Sequence, residues 1–149
     1  MAFTASAIFR EWLNQAYQVS GTGYTGLDSD TVKVALYGNT GTPDKDAAVA
    51  STGYNTGQWV TGNELSGTNW AAGGIALTSK TFTTPATGVF MFDAADTPSA
   101  GNTTLTAVYG CLVYDDTITA GTVADQGVSF HYFGGTQSVT AGTLTLTVP

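Results

Sequence analysis

The sequence predicts a mainly β fold: an antiparallel β-sandwich, or flattened barrel, of about seven strands with one N-terminal amphipathic helix. Three observations carry this expectation. From Leu27 onward, apolar residues recur at a period of two, and no stretch of helical period interrupts them. The apolar runs are separated by clusters of Gly, Asn, Asp, Ser and Pro, the residues of tight turns. Several runs are apolar on both faces, which suits two packed layers better than one open sheet. Strands without interleaved helices also argue against βαβ units. At 149 residues the chain reads as one domain, 1–149, with a helical segment over 1–20 and a β domain over 27–149. A chain of this length buries about 68–70% of its unfolded surface, so it needs no disulfide to hold a core.

The helix is justified by one stripe. Phe9, Trp12, Leu13, Ala16 and Tyr17 fall at i, i+3, i+4, i+7 and i+8, with Arg10, Glu11, Asn14, Gln15 and Gln18 on the other side. Thr4 or Ser6 is the expected N-cap. Gly21 and Gly23 end the helix. So short a helix is marginal alone in water, so its stripe must dock on its own β core or on a neighbouring subunit.

The strands follow in order. Residues 31–37 place Val32, Val34 and Leu36 on one face and Lys33, Ala35 and Tyr37 on the other. Residues 38–46 form a loop, with Thr42-Pro43-Asp44 as a turn carrying Pro at its second position. Residues 47–56 have weak periodicity and read as a surface excursion, and 58–61 as a short strand.

The stretch 63–84, NELSGTNWAAGGIALTSKTFTT, is the organising one. Its turn residues lead through Trp70 to Gly73-Gly74, a pair that reaches backbone angles closed to other residues or admits a second backbone. Residues 75–78 then alternate as a half-buried strand, and the phase slips at Ser79, which predicts a bulge or bend.

Residues 88–93 (GVFMFD) are apolar on both faces, which predicts cover on both, and 93–102 form a loop. Residues 103–114 give the longest strand, with Leu105, Ala107, Tyr109, Cys111 and Val113 on one face and Val108, Leu112 and Tyr114 on the other. That pattern belongs to a central strand, closed by Asp115-Asp116, whose charges are expected to reach water. Residues 128–133 form a strand ended by Gly134-Gly135. Residues 143–148 alternate, with Leu144, Leu146 and Val148 inward.

Composition narrows the function. Only 10% of residues are charged, against a usual share of about 25%. Net charge is −7, and the four cations, Arg10, Lys33, Lys45 and Lys80, are scattered. No basic patch with interleaved aromatics can be assembled from them, which disfavours direct nucleic-acid binding and an anionic membrane surface. The N-terminus lacks the basic and apolar regions of a signal peptide, and no apolar run approaches the roughly 20 residues of a membrane span. The single Cys111 lies in an apolar strand and reads as a small buried hydrophobe.

No constellation of catalytic residues emerges. His131 is the only histidine and shares a strand face with Ser129 and Phe133, but no strand-to-helix elbow marks a nucleophile. The segment 28–33 lacks the third acidic position and the glycine of a calcium-binding EF-hand loop. No glycine cluster opens a helix, so phosphate cradling is not indicated. The chain is therefore expected to be no enzyme, without cofactor or metal. Tyr54, Trp59 and Trp70 either form an exposed platform for a protein or sugar partner or, for the tryptophans, plug the end of the β fold. The candidate partner-binding residues are Phe9, Trp12, Leu13, Tyr17, Trp59 and Trp70.

Three ordered pieces carry a resemblance: Asp30-Thr31-Val32-Lys33-Val34-Ala35-Leu36, then Thr42-Pro43-Asp44, then NELSGTNWAAGG over 63–74. Together they resemble a family of small structural proteins of tailed-bacteriophage virions, and the likeness continues loosely to the C-terminus. The resemblance implies a β-rich virion protein that works by binding other virion proteins. The expected role is capsid decoration (cement or head fibre) on the major capsid protein, as a homo-oligomer with a trimer among the candidates. A minor tail or tail-tip protein is the alternative, and a carbohydrate-binding β-module a more distant one. The expected location is the virion, after synthesis in a host cytoplasm.

Overall fold

The computed structural model describes residues 3–10, 12, 13, 25–87, 89–119 and 123–147. Its body is a six-stranded antiparallel sheet. The central strand is β8 (Thr103–Asp115), as its two apolar faces predict, flanked by β2 (Val32–Tyr37) and β9 (Gln126–Gly142). Beyond β9 lies the two-residue β1 (Ala7–Ile8), and beyond β2 lie β3 (Glu64–Leu65) and β4 (Ile75–Ala76). Two smaller antiparallel pairs stand beside this sheet. One is β5 (Thr81–Ala86) with β6 (Val89–Asp93); the other is β7 (Thr97–Pro98) with β10 (Thr145–Leu146).

β2 is buried at every position except the half-buried Lys33, so both of its faces are covered. β8 departs from strict alternation. Ala107 has φ 57°, and the bulge it makes lets Leu105 and Val108, three residues apart, both be buried. β9 does not stop at Gly134-Gly135 as expected but continues to Gly142. There the register jumps from Gly110↔Tyr132 to Val108↔Gln137, and the glycines take φ 77° and 153°. Glycine bends this strand rather than ending it, because it reaches a backbone conformation that keeps the ladder going past the excess residues.

The glycine pair, the strand after it and the slip at Ser79 behave as the residues of the organising stretch predict, while Glu64–Leu65, in its turn-rich start, is a short strand. The stretch's strands β3 and β4 cover the outer edge of β2, one after the other. Gly73 and Gly74 have φ 87° and 75°, and a Cβ at Gly74 would overlap the Val34 carbonyl. The phase slip at Ser79 is a bend with φ 50°.

The N-terminus differs from expectation. Residues 7–8 are strand, paired with Phe130 and Ser129, and Ser6 Oγ accepts the Tyr132 N–H at 2.8 Å. Thr4 and Ser6 therefore cap no helix. Helical backbone is found at Arg10, Trp12 and Leu13. The rest of the expected helix, 14–20, lies outside the described residues. The exposed edge of β9 offers hydrogen bonds that outweigh a marginal helix start.

Phe9 and Trp12 are buried in the chain's own core. Its aromatic centre is Trp59, whose ring meets Phe3, Phe9, Tyr37 and Phe130 at centroid distances of 5.1–6.1 Å. Tyr37 donates its hydroxyl to the Trp59 carbonyl at 2.6 Å.

Further corrections are local. Residues 58–61 are not a strand: Gly57–Trp59 is a single 3-10 turn that drives Trp59 inward. The excursion 47–56 is partly interior, since Thr52 is fully buried and accepts Gln126 Nε2 at 2.7 Å. The turn expected at Thr42 begins two residues later. Ala47 N–H reaches the Asp44 carbonyl, and the Asp44 carboxylate accepts the Asp46 N–H. The loop 93–102 contains β7. Asp115, expected in water, is fully buried, while Asp116 pairs with Lys33 at 2.8 Å. Strand 88–93 is not covered on both faces: Val89 is 48% exposed.

Candidate functional site

Most of the expected partner-binding residues lie inside. Phe9, Trp12, Trp59 and Trp70 are each at most 4% exposed. Leu13 is 44% exposed, and Tyr17 lies outside the described residues. The tryptophans plug the fold instead of forming a platform with Tyr54. The expected helix stripe, where described, turns Phe9 and Trp12 into the chain's own core.

The strands that pair only with each other, outside the six-stranded sheet, and carry most exposure are those of the β5–β6 hairpin, of which Phe92 still packs against the core. Thr78 and Ala95 close its base with a backbone hydrogen bond of 2.9 Å. Above that base β5 and β6 pair with each other, in the register Thr81↔Asp93, Phe82↔Phe92, Thr83↔Met91 and Ala86↔Val89. The register shifts between Thr83 and Ala86, where Pro85 supplies no N–H to the ladder. Every residue of β5 is exposed, with Phe82 at 54%.

No charged side chain occurs from Thr81 to Phe92. Exposed sheet edges in soluble proteins are usually blunted by charge, short length or cover. This arm combines β-branched Thr, exposed Phe82 and Val89, and open edges among the described residues. A two-stranded ribbon is marginal on its own in water. Physically, the arm offers main-chain ladder groups and apolar side chains to another surface.

A second feature sits where the organising stretch meets β8. The Glu64 carboxylate accepts the Tyr54 hydroxyl and the Gly73 N–H, both at 2.8 Å. The Gly73 carbonyl accepts the Tyr114 hydroxyl at 2.6 Å, and the rings of Tyr54 and Tyr114 stack 4.7 Å apart. Burial raises the Glu64 carboxyl above its ordinary value, against the pull of these two hydrogen bonds. Burial, and then the bond to Glu64, push the Tyr54 hydroxyl up to about 12. The network rivets the 64–74 loop to β8. Sequence reading missed it; the only signal was an acid ten residues from a tyrosine.

Ser129 Oγ and His131 Nε2 are 2.9 Å apart, as their shared strand face allows. Among the described residues no carboxylate hydrogen-bonds the other ring nitrogen, so the imidazole lacks an orienting third group. Burial pushes the Cys111 thiol up to about 12, so it is neutral and unreactive at ordinary pH. No group of three or more potential metal ligands occurs among the described residues, and none of their helices is long and apolar enough to cross a membrane. An apolar cavity of about 180 Å³ lies beside β10, lined by Leu36, Phe133, Gln137, Leu144, Thr145 and Leu146.

Comparison of the chain with family models, with curated proteins and with solved structures finds no match.

Proposed function

We propose that this chain is a non-enzymatic structural protein of a tailed-phage virion, a capsid decoration, cement or head-fibre protein that binds the major capsid protein. The observation that carries this reading is the β5–β6 arm, which has no charge from Thr81 to Phe92 and exposes Phe82 and Val89, on a body whose Phe3, Phe9, Trp12, Trp59 and Trp70 are buried. A protein that works by docking needs such a surface and needs no reacting group. The residues that resemble the phage family support it from the other side: they make β2 and the loop that covers its edge. In this reading the six-stranded sheet and the short β7–β10 pair are the two layers of a sandwich. The arm contacts neighbouring shell subunits. Modest contacts repeated over a symmetric lattice then give effectively irreversible attachment.

Immunogold labelling of phage particles tests the assignment. The proposal expects gold over heads. Gold confined to tails makes the protein a tail or tail-tip component, and unlabelled particles remove it from the virion. Light scattering after size exclusion adds the stoichiometry: a discrete trimer fits three-fold positions of a shell, and a monomer means that assembly needs the partner's surface. Binding on a glycan array without particle labelling would favour the carbohydrate-binding alternative.

A further inference from the structure

Two buried carboxyl groups flank the junction between the entry of β2 and the exit of β8, where Val32 pairs with Asp115 and Thr31 bonds to Asp116 and Thr117. Asp30 is 2% exposed and Asp115 is 0% exposed. Asp30 ends a turn in which the N–H groups of Ser29 and Asp30 both reach the Gly26 carbonyl. Its carboxylate is well supplied with donors: the Thr25 N–H at 2.9 Å, the Gly26 N–H at 3.3 Å and the Thr25 hydroxyl. Asp115 is not so supplied. Its Oδ1 accepts the Thr117 N–H at 2.9 Å, but its Oδ2 finds no donor among the described residues.

An ionised carboxylate with one oxygen buried and without a donor is costly, and a second carboxylate beside it makes ionisation costlier still. Both costs vanish if Asp115 carries a proton and donates it to Asp30. We propose that Asp30 and Asp115 share one proton and form a pH-sensitive latch that ties the turn entering β2 to the end of β8. The latch anchors further bonds across the same junction. Asp116 N–H donates to the Thr31 carbonyl at 2.8 Å, and Thr31 N–H donates to the Thr117 hydroxyl at 2.7 Å. Loss of the shared proton leaves two negative charges in one buried contact and loosens these bonds.

The titration pattern agrees with the geometry. Burial, with Asp30 as the neighbouring charge, pushes the Asp115 carboxyl up to about 7. Burial works to raise Asp30 as well, but the bonds from Thr25, Gly26 and Asp115 outweigh it and hold Asp30 below the ordinary value.

Other charged groups reach this end of the sheet. Lys33 of β2 is engaged with Asp116, Asp28 lies in the exposed turn, and Asp125 precedes β9, raised by burial and by Asp116. Among the described residues, Asp30 is the charge that acts on Asp115.

The sign follows from proton linkage. The stabilisation from Asp115 is fully present below its ordinary value of 3.8 and is lost as pH rises through about 7. Asp30 acts oppositely, and only at the acid end: its contribution is present above 3.8 and is lost as pH falls through its lowered value.

Carboxyl ¹³C NMR of the full-length protein tests the latch without any substitution. One aspartate resonance, assigned to Asp115, is expected to titrate with a midpoint near 7. If all aspartates titrate around the ordinary value of about 3.9, the proposal is overturned. The variant Asp115→Asn supplies an amide donor to Asp30 at every pH. Its melting temperature is expected to fall less between about pH 5 and 8 than that of the wild type, because the contribution of Asp115 is gone while those of Glu64 and Asp125 remain. An equal fall in both proteins also overturns the latch.

Discussion

The body and the β5–β6 arm are both antiparallel β-structure, yet they are held by different means. In the body, β8 is hydrogen-bonded on both sides, and from Gly110 to Asp115 no residue is exposed. The arm pairs one strand with one strand, and β5 is exposed along its whole length. Residues such as Thr, Val and Phe favour strands in both places, so propensity does not distinguish them. Burial does. The body gains from apolar area removed from water on two faces, at about 25 cal/mol per Å², and the arm gains little of this until another surface covers it. A fold can therefore hold itself with one region and leave another, built from the same residue types, exposed.

Substitutions separate the two regions. Trp59→Ala removes the ring at the centre of the aromatic cluster and is expected to cost about 3–5 kcal/mol, read from urea unfolding. A cost under about 1 kcal/mol would place the core elsewhere. Glu64→Ala leaves the Gly73 N–H and the Tyr54 hydroxyl without their acceptor. Because Glu64 is only half-buried and water can replace it in part, a loss of about 1–2 kcal/mol is expected. The smallest effect belongs to the arm. The double variant Phe82→Ser/Val89→Ser is expected to change stability by no more than about 0.5 kcal/mol while abolishing co-sedimentation with phage heads. Unimpaired co-sedimentation would move the docking surface away from the arm.

Much of the body was legible in the sequence. The alternation in 31–37 specifies β2, and the two-faced apolarity of 103–114 specifies β8 and its central position. Gly73-Gly74 announced the close approach to Val34. Other features were hidden for physical reasons. The stripe from Phe9 to Leu13 scores as helix, but Ala7 and Ile8 follow the ladder of β9, a partner more than a hundred residues away. Gly134-Gly135 is a strand terminator by local rules, and a bend once both flanks are paired to β8.

Asp115 looked solvated because an acid at a strand end usually is; in the fold it is fully buried, with Oδ1 accepting the Thr117 N–H. The burial of Phe9, Trp12, Trp59 and Trp70 was hidden for a related reason. Periodicity tells which residues share a face, not what lies against that face. Trp59 and Trp70 therefore looked available when they are core, and the apolar run 88–93 looked covered when Val89 is open.

Hydrogen exchange followed by mass spectrometry on the purified protein at low concentration tests this account most directly. Amides in 81–93 are expected to exchange orders of magnitude faster than those in 110–115, and to become protected when the protein is bound to phage heads. Equal protection of the two segments in the free, monomeric protein would contradict the account, because the arm would then be part of the self-sufficient body.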